Sequence, residues 1–343
     1  MPLQRHQSSA ARCGSTAASA PHCSRSRRSR WSRRAGVVVT VWGVSAVLAG
    51  CADASSGGDS DDDGNAGEAG ETITVVTSID VYADLVEQIA GETADVQPMV
   101  DNPAVDPHSY EATPQDRLAV DSADVIVANG GGYDAFLTRL AESAGKQDQV
   151  YQLIEGENEH SHGDDGGYEN EHIWYDLDQM QDFVAEFADY LADEVPDNAD
   201  LYQENAEALG EELTELKAEV EDVSADGMSF LATESVSGFL LEDAGFEDLT
   251  DEQFLAAVEH GDDVSPRLYQ QALDIATSDG IGLLAYNPQT ETSQSEQIRS
   301  AAEDADVAVM EFSETLPEGV DSYVEWMHSQ IGDLDETVGR VNG

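Results

Sequence analysis

From residue 72 onward, short contiguous apolar runs alternate with apolar positions spaced three or four apart, which predicts strands and helices in turn. Ile73-Thr74-Val75-Val76-Thr77 suits a buried strand. Tyr82, Leu85, Val86 and Ile89 follow at helical spacing, and Gly91 stops that helix. Residues 96–100 read as a second strand, placed at a sheet edge because Pro98 has no N–H to give to a ladder. A helix opens at Thr113-Pro114. Residues 125–129 form a third strand running into Gly130-Gly131-Gly132, residues 133–144 a helix, and residues 149–154 a fourth strand. After a polar loop, 155–171, Met180, Phe183, Val184, Phe187 and Leu191 mark one helix, closed by Pro196. Leu201, Leu209, Leu213, Leu216 and Val220 mark a longer one.

The second half repeats the alternation, with strands expected at 228–233, 281–286 and 307–311 and a weaker one near 246–249. Ser265-Pro266 supplies a cap and a first-turn proline for a helix. Tyr323, Trp326, Met327, Ile331 and Leu334 define the last helix. The fold class is therefore α/β: two βα-repeat lobes with parallel sheets, 72–195 and 225–343, joined by a long connecting helix, 196–224.

Composition changes the picture at the N-terminus. Residues 1–50 contain eight arginines and no acid, then an apolar stretch, 35–50, ends at Cys51. That is the layout of a secretory signal, with a core too short to span a bilayer, which takes ~20 apolar residues. Val47-Leu48-Ala49-Gly50-Cys51 resembles the lipobox of bacterial lipoproteins, which implies cleavage before Cys51 and lipid attachment to its sulfur. Residues 51–71 are almost free of apolar side chains and read as a flexible acidic tether. Beyond residue 50 the chain keeps seven of its 15 basic residues and all 71 acidic ones. Such a surface repels nucleic acid and acidic lipid, and we exclude both as partners. Charge of this density is tolerable where salt screens it, so the chain is expected to suit a salty exterior; acidity kept only for solubility is the plainer alternative. The cysteines, Cys13, Cys23 and Cys51, all lie in the leader or at its edge, so a metal site in the body must use nitrogen and oxygen.

Candidate chemistry rests on two histidines in matching surroundings, Asp106-Pro107-His108 and Glu171-His172-Ile173-Trp174, and on two carboxylates after apolar runs, Glu234 and Glu314. They are 64, 62 and 80 positions apart, so only the fold can bring them together. Two imidazoles with two carboxylates suit a divalent transition metal. In open α/β sheets ligands sit beyond the carboxyl ends of strands, where Glu234 and Glu314 fall, while His108 and His172 lie in loops around the same crevice.

The chain resembles the metal-binding lipoproteins of bacterial ABC importers, in the zinc- and manganese-type cluster. The matching stretches are Asp106-Pro107-His108 with Gln115-Asp116, Ala128-Asn129-Gly130 with Tyr133, His172-Ile173-Trp174-Tyr175-Asp176-Leu177, and Asn205-Ala206. Further on come Ala232-Thr233-Glu234 with Gly238-Phe239, Asn287-Pro288-Gln289-Thr290, and Glu314-Thr315-Leu316-Pro317 with Trp326-Met327. The resemblance implies metal ligands His108, His172, Glu234 and Glu314 at the lobe interface. The third position is often histidine in that family and the fourth often aspartate; both are glutamate here. It also implies an extracytoplasmic, monomeric, non-enzymatic receptor on the outer face of the cell membrane, handing Zn2+ or Mn2+ to an ABC permease with small rather than wide motions. Two imidazoles and the spare His160 and His162 favour zinc, the two glutamates favour manganese, and zinc is expected by a small margin.

Asn287 and Gln289 are expected to orient the glutamates, although a turn capped by Asn-Pro explains them equally well. Tyr133, Trp174 and Trp326 are read as lobe-packing aromatics, and Gly130-Gly131-Gly132 as a turn. Two other functions compete. A metallohydrolase would use similar residues, but the chain has no His-Glu-x-x-His and no free base beside the cluster. A surface adhesion or scaffold lipoprotein would keep its metal for folding.

Overall fold

Each lobe is a four-stranded parallel sheet with the same strand order, and each strand is followed by its helices as the alternation predicts. The computed structural model describes residues 72–154 and 170–342, which fall within one unit, Asn65–Gly343. The expected signal segment 1–50, Cys51, the tether 51–71 and the loop histidines His160 and His162 lie outside the described residues. Among the described residues, no helix is long and apolar enough to cross a membrane.

The first lobe runs β1 (Ile73–Ile79), α1 (Asp80–Ala90), β2 (Ala94–Val100), α2 (Pro114–Ser122), β3 (Val125–Gly130), α3 (Ala135–Ala144) and β4 (Val150–Ile154). Its strand order is β2-β1-β3-β4. Pro98 sits on the edge strand opposite Thr77, where its missing N–H costs the ladder nothing. β3 is buried along its whole length, as a central parallel strand covered on both faces should be. Thr113 and Asp116 form a reciprocal capping box at α2, with Pro114 in the first turn. α4 (Leu177–Glu194) and α5 (Ala199–Val223) follow. α5 has 25 residues, roughly 37 Å of helix at 1.5 Å per residue. Its stripe of Tyr202, Leu209, Leu213, Leu216 and Val220 is buried against α4, α1 and the last helix.

The second lobe runs β5 (Ser229–Ala232), α6 (Gly238–Asp243), β6 (Glu247–Asp248), α7 (Glu252–Glu259), α8 (Pro266–Ala276), β7 (Leu283–Tyr286), α9 (Ser293–Asp304), β8 (Ala308–Glu311) and α10 (Tyr323–Asn342). Its order, β6-β5-β7-β8, repeats that of the first sheet. Three of these helices were not expected. α6 and α7 are too short to show a period, and α9 buries only Ser295, Ile298 and Ala302 from an otherwise polar run. The helix expected from residue 133 begins instead at Ala135. Gly130, Gly131 and Gly132 all have positive φ and carry the chain through a turn first. A Cβ on Gly130 would come within 2.4 Å of the Ile154 carbonyl oxygen, so only glycine fits there.

Buried and half-buried hydrogen bonds cross from one lobe to the other. The Asp80 carboxylate accepts from the Leu316 N–H at 3.1 Å, and Asp84 from the Tyr323 N–H at 2.8 Å. The Tyr323 hydroxyl donates to the Trp174 carbonyl, and Tyr175 donates to the Ser313 carbonyl. Tyr323 is fully buried. Replacing Asp84 with Ala strands its buried N–H, and the variant is expected to lose about 1–3 kcal/mol in urea unfolding. An unchanged midpoint would mean that this tie is not holding the second lobe's last helix to α1.

Candidate metal centre

The four side chains singled out in the sequence arrive from four loops. His108 lies between β2 and α2, where the Asp106 carboxylate accepts its backbone N–H at 2.8 Å and fixes a tight turn. His172 follows β4 in sequence. Asn170 accepts the His172 backbone N–H at 3.0 Å in the same way, and Asn129 donates to the Glu171 carbonyl at 3.1 Å. Glu234 comes two residues after β5, and Glu314 three after β8. One potential ligand atom from each of the four lies within 4.8 Å of all the others. His172, Glu234 and Glu314 are almost completely buried, and the His108 side chain is 16% exposed.

The spacings suit donors around a single ion. His108 Nε2 is 3.1 Å from His172 Nε2 and 3.4 Å from a Glu314 oxygen, and His172 Nε2 is 2.9 Å from a Glu234 oxygen. The pairs His108–Glu234 and His172–Glu314 are each 4.0 Å apart. Donors held ~2.1 Å from one centre stand ~3.0 Å apart at right angles and ~3.4 Å apart in a tetrahedron.

Hydrogen bonding also sets the histidine tautomer. His172 Nδ1 faces Asn170 Oδ1 at 2.9 Å and Ser235 Oγ at 3.0 Å. The Ser235 hydroxyl gives its proton to Glu259 at 2.6 Å, so both atoms facing Nδ1 are acceptors. Nδ1 therefore carries the hydrogen, and the Nε2 lone pair points into the cluster, as a ligand must.

The two amide residues divide the work differently from the expectation. Asn287 Nδ2 donates to Glu234 at 2.5 Å and to Glu314 at 2.8 Å, bridging the two carboxylates. Gln289 touches neither carboxylate. Its Oε1 accepts the Glu314 backbone N–H at 2.6 Å, while its amide group donates to the Val105 carbonyl and the Thr315 hydroxyl. Gln289 thus fastens the loop of Glu314 to the loop of His108. Tyr133 does more than pack. Its hydroxyl donates to Glu314 at 3.1 Å, and its ring stands edge-on to His108 at 4.8 Å. Trp174 packs against His172 and Tyr133, and Trp326 against Tyr175 and Tyr323, as lobe-packing aromatics.

Asn170, Ser235 and Glu259 were missed. Asn170 left a signal, because Asn170-x-His172 repeats the spacing of Asp106-x-His108. Glu259 left none, being one acid among many at the end of a short helix. Its Oε2 lies 3.4 Å from His108 Nε2, and its carboxyl lies beside that of Glu234.

The cluster's charges are mutually strained. Burial opposes a charge on His108, but Glu314, Glu259 and Glu234 outweigh it and push the pKa up to about 10. Burial lowers that of His172. Burial, and then the charges of Glu259 and Glu314, raise that of Glu234 well above the usual carboxylate range. For Glu259, burial is outweighed by His172 and His108, which hold its pKa at about 2.

Four such donors aimed at one point suit a single divalent metal ion. The chain belongs to the family of metal-binding proteins of ABC importers described as zinc-uptake complex component A, periplasmic, whose model matches residues 75–337. Among curated relatives it is similar to the manganese-binding lipoprotein MntA of Halalkalibacterium halodurans, 32% identical over 182 residues, 51% of this chain and 59% of that one. It is also similar to the manganese ABC transporter substrate-binding lipoprotein ScaA of Streptococcus gordonii, 30% identical over 166 residues, 44% of this chain and 51% of that one. The matched stretches thus span little more than half the length of these relatives. Among solved structures, the periplasmic zinc-binding protein TroA from Treponema pallidum shares the fold with a TM-score of 0.65 at 20% identity, over 78% of this chain and 99% of that one. So does the binding protein FpvC from Pseudomonas aeruginosa in complex with Mn2+, with a TM-score of 0.64 at 20% identity, over 79% of this chain and the whole of that one.

Two outcomes are expected of this geometry. Asn170→Ala removes an acceptor that fixes the His172 tautomer and should weaken metal binding about 10- to 100-fold without unfolding the protein, read by competition with a chromophoric chelator. Without an ion His108 stays protonated up to about pH 10, so an incoming cation must displace that proton. Affinity should therefore rise with pH toward that value and fall on acidification. Titration calorimetry at pH 8 should show a binding enthalpy that varies with the buffer's ionisation heat, and a buffer-independent enthalpy would contradict the displacement.

Proposed function

We propose that the protein is an extracytoplasmic receptor, lipid-anchored through Cys51 on the outer face of the cell membrane. It captures a divalent transition metal, zinc or manganese, and hands it to the permease subunit of an ABC importer. One observation carries this reading: the inward-facing donors of His108, His172, Glu234 and Glu314, from loops of both lobes, lie within 4.8 Å of one another. The relatives, a manganese-binding lipoprotein, a manganese ABC transporter substrate-binding lipoprotein and a periplasmic zinc-binding protein, agree with a transition-metal cargo. Two carboxylates neutralise a dication, so enclosing the complex costs far less than burying the bare ion.

For these four residues alone zinc is the tighter ligand, because zinc outranks manganese at almost any nitrogen–oxygen site. One ion per chain is expected. His172→Ala should weaken binding by more than the roughly 10- to 100-fold that loss of an outer partner costs. A transported ion must also leave without collapse of the fold. Mild chelation should strip it while circular dichroism still shows a folded chain, and the stripped chain should melt lower only by the amount that mass action gives. A chain that unfolds on chelation would instead be a scaffold with a structural metal. Solution scattering with and without the ion should show nearly the same radius of gyration, in keeping with small motions.

A further inference from the structure

Glu259 belongs to the cluster by position, yet it is the one carboxylate there that neither the motif pattern nor the four-residue set includes. It is the last residue of α7, a two-turn helix started by the Asp251 cap and anchored by buried Phe254 and Leu255. One oxygen is fixed by the Ser235 hydroxyl at 2.6 Å, and the other lies 3.4 Å from His108 Nε2. The carboxyl also lies beside that of Glu234. Glu259 thus lies against both members of the pair His108–Glu234, whose 4.0 Å separation exceeds the ~3.4 Å edge of a tetrahedron with ~2.1 Å bonds. A cavity of about 690 Å³ reaches Glu259, His108 and Glu234 but not His172 or Glu314. Glu259 is therefore on the solvent side of the cluster, with its side chain 8% exposed.

We propose that Glu259 is a fifth metal ligand, closing the shell from its open flank and narrowing the preference for zinc over manganese. This rests on the reading of the cluster as a metal-capture site. Zinc in closed protein sites is usually four-coordinate, whereas manganese favours more numerous oxygen donors, so an added carboxylate strengthens manganese binding more than zinc binding. The added carboxylate lines the cavity beside His108 and Glu234, and the Ser235 hydroxyl links it to His172.

The test uses wild-type protein, Glu259→Gln, Glu259→Asp and Ser235→Ala, each checked for folding by circular dichroism and loaded with Mn2+ or Zn2+ alone. Affinities come from chelator competition and coordination numbers from X-ray absorption. In Glu259→Gln, manganese affinity should fall at least tenfold and zinc affinity no more than about threefold, and the Mn2+ shell should lose a donor. Glu259→Asp, which withdraws the carboxylate by one methylene, should fall between. The proposal is overturned if both metals weaken equally with the shell unchanged, or if Ser235→Ala selectively weakens manganese binding while the Mn2+ shell of Glu259→Gln keeps all its donors, since Glu259 would then act only through Ser235 on His172. It is overturned too if neither affinity moves. Failure of the capture reading shows separately, as wild-type protein that binds neither ion or a His172→Ala variant that binds as well as wild type.

Discussion

Two imidazole lone pairs and several carboxylate oxygens meet at separations of 2.9–4.0 Å in a place that water barely reaches. Like charges 4 Å apart repel by about 4 kcal/mol even at an effective dielectric constant of 20, so the cluster resists its own assembly unless a positive charge enters it. Without an ion, protons serve: His108 holds one up to about pH 10, and burial beside Glu259 and Glu314 favours a proton on Glu234. A dication with nitrogen and oxygen affinity does the same job with one particle. The rest of the fold can be understood as what keeps these groups from turning away from one another.

That restraint comes from donors aimed at the outer sides of the cluster. Asn287 grips both glutamates with one amide group, Tyr133 holds Glu314, and Ser235 with Asn170 fixes His172. Each of these residues sits at or just beyond a strand end, or in the loop it leads into. The parallel topology makes this possible, because all the strands of a sheet deliver their carboxyl ends to the same edge. Gly130 contributes by absence, since its missing Cβ lets the chain turn beside Ile154 and present Tyr133 to the site.

The scaffold was legible in the sequence wherever burial leaves a period. β1, β3 and β7 are rich in apolar residues and mostly buried because both faces are covered, and α4 and α5 carry full stripes. Helices that bury little, such as α9, escaped for the same reason. In the site, the histidines were legible from the matching surroundings Asp106-Pro107-His108 and Glu171-His172-Ile173-Trp174, and Glu234 because it follows an apolar run. Glu259 was not, because one carboxylate at the end of a short helix has no local signature in a chain with 71 acids. The role of Gln289 was misjudged for a related reason: a turn sequence shows that an amide is present, but not whether it meets a carboxylate or a backbone N–H.

The distribution of cross-lobe hydrogen bonds bears on how a bound ion could leave. Three of them act directly on ligand-bearing loops: Gln289 to Val105, Asn170 to the Ser235 carbonyl, and Tyr133 to Glu314. Four others, from Asp80, Asp84, Tyr175 and Tyr323, also tie the lobes together; two end on Leu316 and Ser313, beside Glu314, and one on Trp174, two residues past His172. At about 1 kcal/mol net for each bond, parting the lobes forfeits all of them, whereas shifting a single ligand loop breaks only those that end on it. Parting the lobes also exposes the apolar surface between α5 and its neighbours, which adds further cost. Loosening the loops already spoils the donor spacing, since each of the three bonds positions a ligand. The less costly route to release is therefore a local shift of a ligand loop against a pair of lobes that stay joined.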